Sequence, residues 1–176
     1  MPQKSISYTG GTLSLFTGDA EESRIMAEAL GRCCTGGEVL LLVGDLGAGK
    51  TSFTQGLARG LEVDPTKRVT SPTFTLHGEY PGRLILNHLD LYRLTDVDSA
   101  MDLGVFDMIH DPHSVLVVEW PELIVNQIHD EYLRVAIDYA SNSEGDDLSG
   151  RRITTTAAGE HHKTLLEKWH GFITTL

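Results

Sequence analysis

Cysteine is nearly absent from this 176-residue chain: Cys33 and Cys34 stand side by side. Adjacent cysteines cannot build an ordinary disulfide framework, and they lack the Cys-x-x-Cys spacing of a zinc site. They fall near the end of a helical pattern, where core packing is the simplest role for them. Long apolar runs are missing too, and none approaches the roughly 20 residues that span a bilayer. The start, Met1-Pro2-Gln3-Lys4, lacks the apolar core of a secretory signal. Positive charge is scarce, since 14 Lys and Arg against 25 Asp and Glu leave a net charge of −11. That balance argues against a basic surface that grips nucleic acid unaided, and it permits an acidic docking face for a basic partner. These absences predict a cytoplasmic protein with no membrane segment.

What is present fits one α/β domain over residues 1–176. A chain of this length can bury roughly 70% of its unfolded surface, so it needs neither disulfide nor metal to fold. Residues 11–17 alternate apolar and polar, which predicts a short strand. Asp19-Ala-Glu-Glu then opens a helix, with a capping residue followed by early carboxylates. Ile25, Met26, Ala29, Leu30 and Cys33 supply its helical spacing, and Gly36-Gly37 stops it. Val39–Val43 is a continuous apolar run, as in a parallel strand covered on both faces. A helix is predicted from Lys50 to Leu61. Leu84–Asp90, Val115–Val118, Tyr132–Asp138 and Arg151–Ala157 read as further strands, with 95–110 helical or mixed. Residues 141–150 read as a hairpin tip, and 160–173 as a closing helix. The expected fold is a mostly parallel central sheet with antiparallel strands added at the end and helices on both faces.

Glycine is plentiful, at 18 residues, and its placement is informative. Gly44-Asp45-Leu46-Gly47-Ala48-Gly49-Lys50-Thr51 satisfies G-x-x-x-x-G-K-[ST], between a predicted strand and a predicted helix. The glycines let the main chain approach an oxyanion closely. The N–H groups and the positive helix end then favour phosphate. Residues 44–52, from Gly44 through Ser52, are therefore candidate nucleotide contacts. Lys50 would bridge the β- and γ-phosphates, and Thr51 would offer its hydroxyl to Mg²⁺. Mg²⁺ needs more oxygen, usually a strand-end carboxylate. Glu119 after Val115–Val118 and Asp90 after Leu84–Leu89 both qualify. A strand-end acid can also orient water for attack. Asp90 and Glu119 are assigned jointly to metal and water, and Lys50 joins them as a catalytic candidate.

Thr70-Ser71-Pro72-Thr73-Phe74 falls where GTPases place a switch loop that senses the γ-phosphate. An ordinary polar turn is the alternative. No Asn-Lys-x-Asp guanine element is present. The nearest approach, Asn126-Gln127-Ile128-His129-Asp130, lacks the Lys, so adenine is the expected base. The eight histidines show no zinc-binding spacing. His161 and His162 point about 100° apart on a helix, and His110 and His113 flank a proline. His88 is of interest because it precedes Asp90 by two residues.

Taken together, Gly44–Thr51, Val69-Thr-Ser-Pro-Thr-Phe74, His88-Leu-Asp-Leu-Tyr-Arg93 and Val118-Glu-Trp-Pro-Glu122 resemble, in order and spacing, the TsaE (YjeE) family of bacterial tRNA threonylcarbamoyladenosine synthesis. The likeness covers about residues 12–159. It implies binding of ATP/ADP with Mg²⁺ and slow hydrolysis. It also implies work beside the proteins TsaD and TsaB, in which TsaD modifies adenosine 37 of certain tRNAs. Contact with tRNA would be indirect. Carried across, Lys50 and Thr51 serve the phosphates and Mg²⁺, Asp90 and Glu119 the metal or water, and Thr70, Ser71 and Thr73 the switch-like loop. Trp120 is the adjacent family aromatic, while Tyr92 and Arg93 stay open. A small-molecule kinase is an alternative, although 95–113 contains no Arg or Lys for a basic lid. A nucleotide-gated binding module without turnover is another.

Overall fold

The computed structural model describes residues 5–129, 131–140 and 150–176. The predicted hairpin tip lies outside them apart from Gly150, as do Met1–Lys4 and Asp130.

Two apolar runs form the middle of the sheet. β3 (Glu38–Val43) and β6 (Ser114–Glu119) pair in parallel and are buried on both faces. Their side chains alternate between two packed layers. Leu40, Leu42, Val115 and Val117 face one layer, and Val39, Leu41, Leu116 and Val118 face the other. β5 (Ile85–Asp90) and β7 (Tyr132–Ala140) extend the parallel set on either side. The margins are antiparallel. β8 (Gly150–Ala158) returns along β7, and β2 (Thr12–Thr17) along β8. β1 (Ile6–Thr9) and β4 (His77–Tyr80) close the edges. The full order is β1-β2-β8-β7-β3-β6-β5-β4.

Helices cover both faces. α1 (Ala20–Cys33), α2 (Lys50–Gly60) and α5 (Glu160–Ile173) pack on one, around Leu30, Phe53, Leu57, Leu166 and Trp169. The indole of Trp169 is fully buried, and its N–H donates to the Met26 carbonyl at 2.9 Å. The other face carries two short helices, α3 (Val97–Met101) and α4 (Val105–His110), in the region read as helical or mixed. Each fully buried aliphatic side chain contributes roughly 1.5–3 kcal/mol, so the two layers together hold the sheet.

Asp19 caps α1 as expected, its Oδ1 accepting from the N–H groups of Glu21 and Glu22 at 2.8 Å each. Glu22 reaches back to the N–H of Gly18 at 2.7 Å, closing a reciprocal cap. Two positions differ from the periodicity. Ile25 is 42% exposed, and Cys33 is only half buried while Cys34 is buried. α1 and α2 meet backbone to backbone. A Cβ on Gly56 would overlap the carbonyl oxygen of Arg24, and one on Gly60 that of Glu28.

Candidate functional site

β3 delivers the chain into a loop at residues 44–49, and α2 starts at once from Lys50. Gly47 (φ 79°) and Gly49 (φ 113°) sit in the left-handed region that favours glycine. The loop thus wraps the positive end of α2, an arrangement suited to an anion. Lys50 is buried under it. Its Nζ donates to the carbonyls of Gly44 at 2.6 Å and Asp45 at 3.0 Å, and lies 4.2 Å from the centre of the Trp120 ring. Burial pushes the lysine pKa below its usual 10.5, opposed by Glu119, Asp90, Asp45 and Glu122.

β5 and β6 end side by side, so Asp90 and Glu119 are register partners. Both are about 3% exposed, yet they serve different neighbours. Glu119 Oε1 accepts from the Thr51 hydroxyl at 3.2 Å and meets His88 Nε2 at 2.9 Å. His88 is fully buried, and its Nδ1 has no hydrogen-bond partner among the described residues. Asp90 Oδ2 accepts from the hydroxyls of Ser71 (2.7 Å) and Thr73 (2.9 Å), and Oδ1 from the N–H of Tyr92 (3.0 Å). The two acids, interchangeable in the sequence, are thereby separated. Glu119 faces the loop and Thr51, whereas Asp90 ties down the segment 71–73.

These groups line one cavity of about 370 Å³. Leu46, Gly47, Gly49, Lys50, Thr51 and Ser52 form one wall, facing Ser71, Thr73, Asp90 and Glu119. Of the remaining candidates, Gly44, Asp45 and Ala48 do not line it; the carbonyls of Gly44 and Asp45 receive Lys50. Thr70 is exposed, and its N–H points to the Tyr80 hydroxyl at 3.4 Å, so it stands apart from Ser71 and Thr73. Tyr92 and Trp120 also line the cavity, with ring centres 4.9 Å apart. Trp120 adopts φ 58°, unusual for a bulky residue, directly after Glu119. Arg93 stacks on the exposed Phe74 ring at 4.2 Å and does not line the cavity.

Two contributors came without a local signal. Arg151 Nε donates to the carbonyl of Ala48 at 2.7 Å, and the Tyr139 hydroxyl to that of Leu46 at 3.4 Å. They reach the loop from β8 and β7, about 100 residues later in the chain.

The donor set suits a hard cation that takes oxygen, from Thr51 and the strand-end carboxylates. No group of three His, Cys, Asp or Glu side chains is placed to hold a metal among the described residues. The fit is therefore to a cation that phosphate oxygens also bind, not to an all-protein cage. Among the described residues no helix is long and apolar enough to cross a membrane.

A parallel strand running into a glycine-rich loop and a helix, with acids at the neighbouring strand ends, defines an α/β domain of the P-loop NTPase-like class. Residues 17–151 match the family model "Threonylcarbamoyl adenosine biosynthesis protein TsaE". A tRNA threonylcarbamoyladenosine biosynthesis protein TsaE from Bacillus subtilis is 41% identical over 153 residues, covering 86% of this chain and 90% of the relative. Its counterpart from Streptomyces coelicolor is 37% identical over 145 residues, covering 80% and 94%. The crystal structure of Bacillus subtilis YdiB superposes with a TM-score of 0.72 at 34% identity, covering 93% of this chain and 97% of that one. The chain belongs to the TsaE family.

Proposed function

We propose that this chain binds ATP with Mg²⁺, hydrolyses it slowly in the cytoplasm, and so supports a TsaD–TsaB pair in threonylcarbamoylation of tRNA. One observation carries the nucleotide reading: an ammonium, a hydroxyl and a buried carboxylate converge on one cavity at the start of α2, from Lys50, Thr51 and Glu119. The link to tRNA modification rests on family membership and on the names of the relatives.

Each residue then has a task. Lys50 leaves two carbonyls for phosphate oxygens, a stronger partner for an ammonium. Thr51, whose hydroxyl proton rests on Glu119, would hold Mg²⁺ through its hydroxyl oxygen. Bound there, Mg²⁺ would supply positive charge against the negative charge developing on the phosphates. Glu119, steadied by His88, accepts a hydrogen bond from the attacking water and aligns it. Asp90 holds the hydroxyls of Ser71 and Thr73 at the cavity wall, where a γ-phosphate is within their reach. Adenine stays the expected base.

Mg²⁺-dependent phosphate release by Lys50→Ala and Thr51→Ala tests the site. A fall of about 10²- to 10³-fold is expected in each, the usual scale for one group that stabilises transferred charge. Undiminished turnover in both would remove the assignment. Retention of the chain by an immobilised TsaD–TsaB pair, with ATP, ADP or neither, tests the partner. No retention under any condition would separate the chain from that assembly.

A further inference from the structure

We propose that Arg151, assisted by Tyr139, is a positioning residue that sets the phosphate loop from outside, by holding loop carbonyls away from the cavity so that loop N–H groups face it. The proposal rests on reading residues 44–51 as a nucleotide site.

Tyr139 and Arg151 are direct partners across the β7–β8 pair, so their side chains stand on one face. The guanidinium lies over the phenol ring, 4.2 Å from its centre. From that platform Arg151 Nε donates to the Ala48 carbonyl at 2.7 Å, a short, charge-assisted bond. The Tyr139 hydroxyl donates to the Leu46 carbonyl at 3.4 Å, a longer and weaker one. Arg151 Nη1 also bonds the carbonyl of Gly150 at 2.9 Å, which fixes the guanidinium plane.

Peptide geometry converts these contacts into a function. In a trans peptide the C=O of one residue and the N–H of the next point in opposite directions. Holding the Ala48 carbonyl outward turns the Gly49 N–H inward, and holding that of Leu46 does the same for Gly47. Both glycines line the cavity. Neither N–H donates to a protein acceptor among the described residues, so both are free to meet an oxyanion. The carbonyls of Gly44 and Asp45 belong instead to Lys50. Glycine suits position 47 for its φ of 79°, and a Cβ there would press on the Tyr139 hydroxyl at 2.9 Å. A loop with several glycines loses much freedom when it orders. A brace already present in the protein lowers the ordering cost of binding.

The full-length chain carrying Arg151→Met, Arg151→Lys or Tyr139→Phe tests this, with affinities for MgATP and AMP measured beside the melting temperature. Arg151→Met is expected to weaken MgATP about 10- to 100-fold, the scale of one lost charged hydrogen bond. AMP, which lacks the β- and γ-phosphates, should weaken less than about twofold. Arg151→Lys, which keeps the charge but loses the planar fork and the stacking, should recover only part of the loss. Tyr139→Phe should cost MgATP about two- to fivefold, in keeping with a neutral bond. MgATP affinity within twofold of wild type in Arg151→Met overturns the brace, as does an equal loss for AMP with a lowered melting temperature, which marks general loosening. If Arg151→Met does not fold, Tyr139→Phe decides, and unchanged MgATP affinity in it overturns the proposal. A wild-type chain that binds no nucleotide removes the reading of the loop itself, a result distinct from any of these.

Discussion

At the carboxyl ends of β3, β5 and β6, Lys50, Asp90 and Glu119 are buried beside a cavity; at the amino end of β3, Glu38 and His162 are buried as deeply. Glu38 Oε1 accepts from the N–H and hydroxyl of Thr35 at 2.6 and 3.2 Å, and Oε2 from the N–H of Gly36 at 2.8 Å. His162 Nε2 accepts from the N–H of Val39 at 2.9 Å, and Nδ1 meets Glu131 at 3.3 Å. A second cavity of about 410 Å³ opens here, lined by His161, His162 and Glu131. The difference lies in the partners. At the amino end three backbone N–H groups, of Thr35, Gly36 and Val39, hold Glu38 and His162 and cannot leave without unfolding something, with the Thr35 hydroxyl, His161 and Glu131 beside them. At the carboxyl end one backbone N–H, that of Tyr92, and the ring of His88 are fixed partners, but the carboxylates also hold the hydroxyls of Thr51, Ser71 and Thr73, which can rotate to other acceptors. Both ends bury charge to a similar depth, and among the described residues they differ in how many of the partners are hydroxyls: three at the carboxyl end, one at the amino end.

The largest effect expected from this contrast is in turnover. Glu119→Gln should lower kcat by about 100-fold or more, within the range for removing a positioned base. Nucleotide affinity should fall far less than the rate, because the loop glycines and the Lys50 side chain stay in place while Lys50 and Thr51 lose only a negative neighbour. Equal losses in rate and affinity would place Glu119 in binding only.

The amino end should answer in stability instead. Glu38→Gln puts an N–H donor against the donors of Thr35 or Gly36, at a cost of about 1–3 kcal/mol. Urea unfolding should register that loss, with kcat within about twofold of wild type. A fall in kcat without a fall in stability would erase the distinction between the two ends.

The smallest effect concerns pH. Burial holds the His162 pKa below its usual 6.5, against the pull of Glu131 and Glu38 and with His161 adding to the depression. The unfolded chain therefore takes up this proton first as pH falls. The contribution of His162 is complete above about pH 6.5. It drains away as the pH drops from there toward the depressed value of the folded state. Melting temperatures of wild type and His162→Gln should converge by roughly 2 °C on going from pH 7.5 to 5.5. A constant gap would show that the ring does not titrate as the fold requires.

Much of this was legible in sequence because it is local. A capping Asp19, the apolar run of β3, the glycine pattern of 44–49 and the strand-end acids each declare themselves within a few residues. The edge strands β1 and β4 did not. They are four residues long each, half exposed, and hold their shape through pairing with a neighbour. Ile25 misled because helical spacing says which residues share a face, not whether another element covers it. The separate duties of Asp90 and Glu119 emerge only when β5 and β6 lie in register. Arg151 and Tyr139 become visible only once β7 and β8 are laid beside the loop, since nothing in their own neighbourhood announces a partner about 100 residues away.

The backbone contact of α1 with α2 has a mechanical consequence. With Gly56 against Arg24 and Gly60 against Glu28, the two backbones touch, and Arg24 to Gln55 and Arg59 to Glu21 clasp the helices at the margin, so sliding one past the other would break both sets of contacts. α2 is thus a stator, held against α1, which Trp169 of α5 ties in turn through the Met26 carbonyl. The opposite wall has no such clamp: there Ser71 and Thr73 meet Asp90 through their hydroxyls.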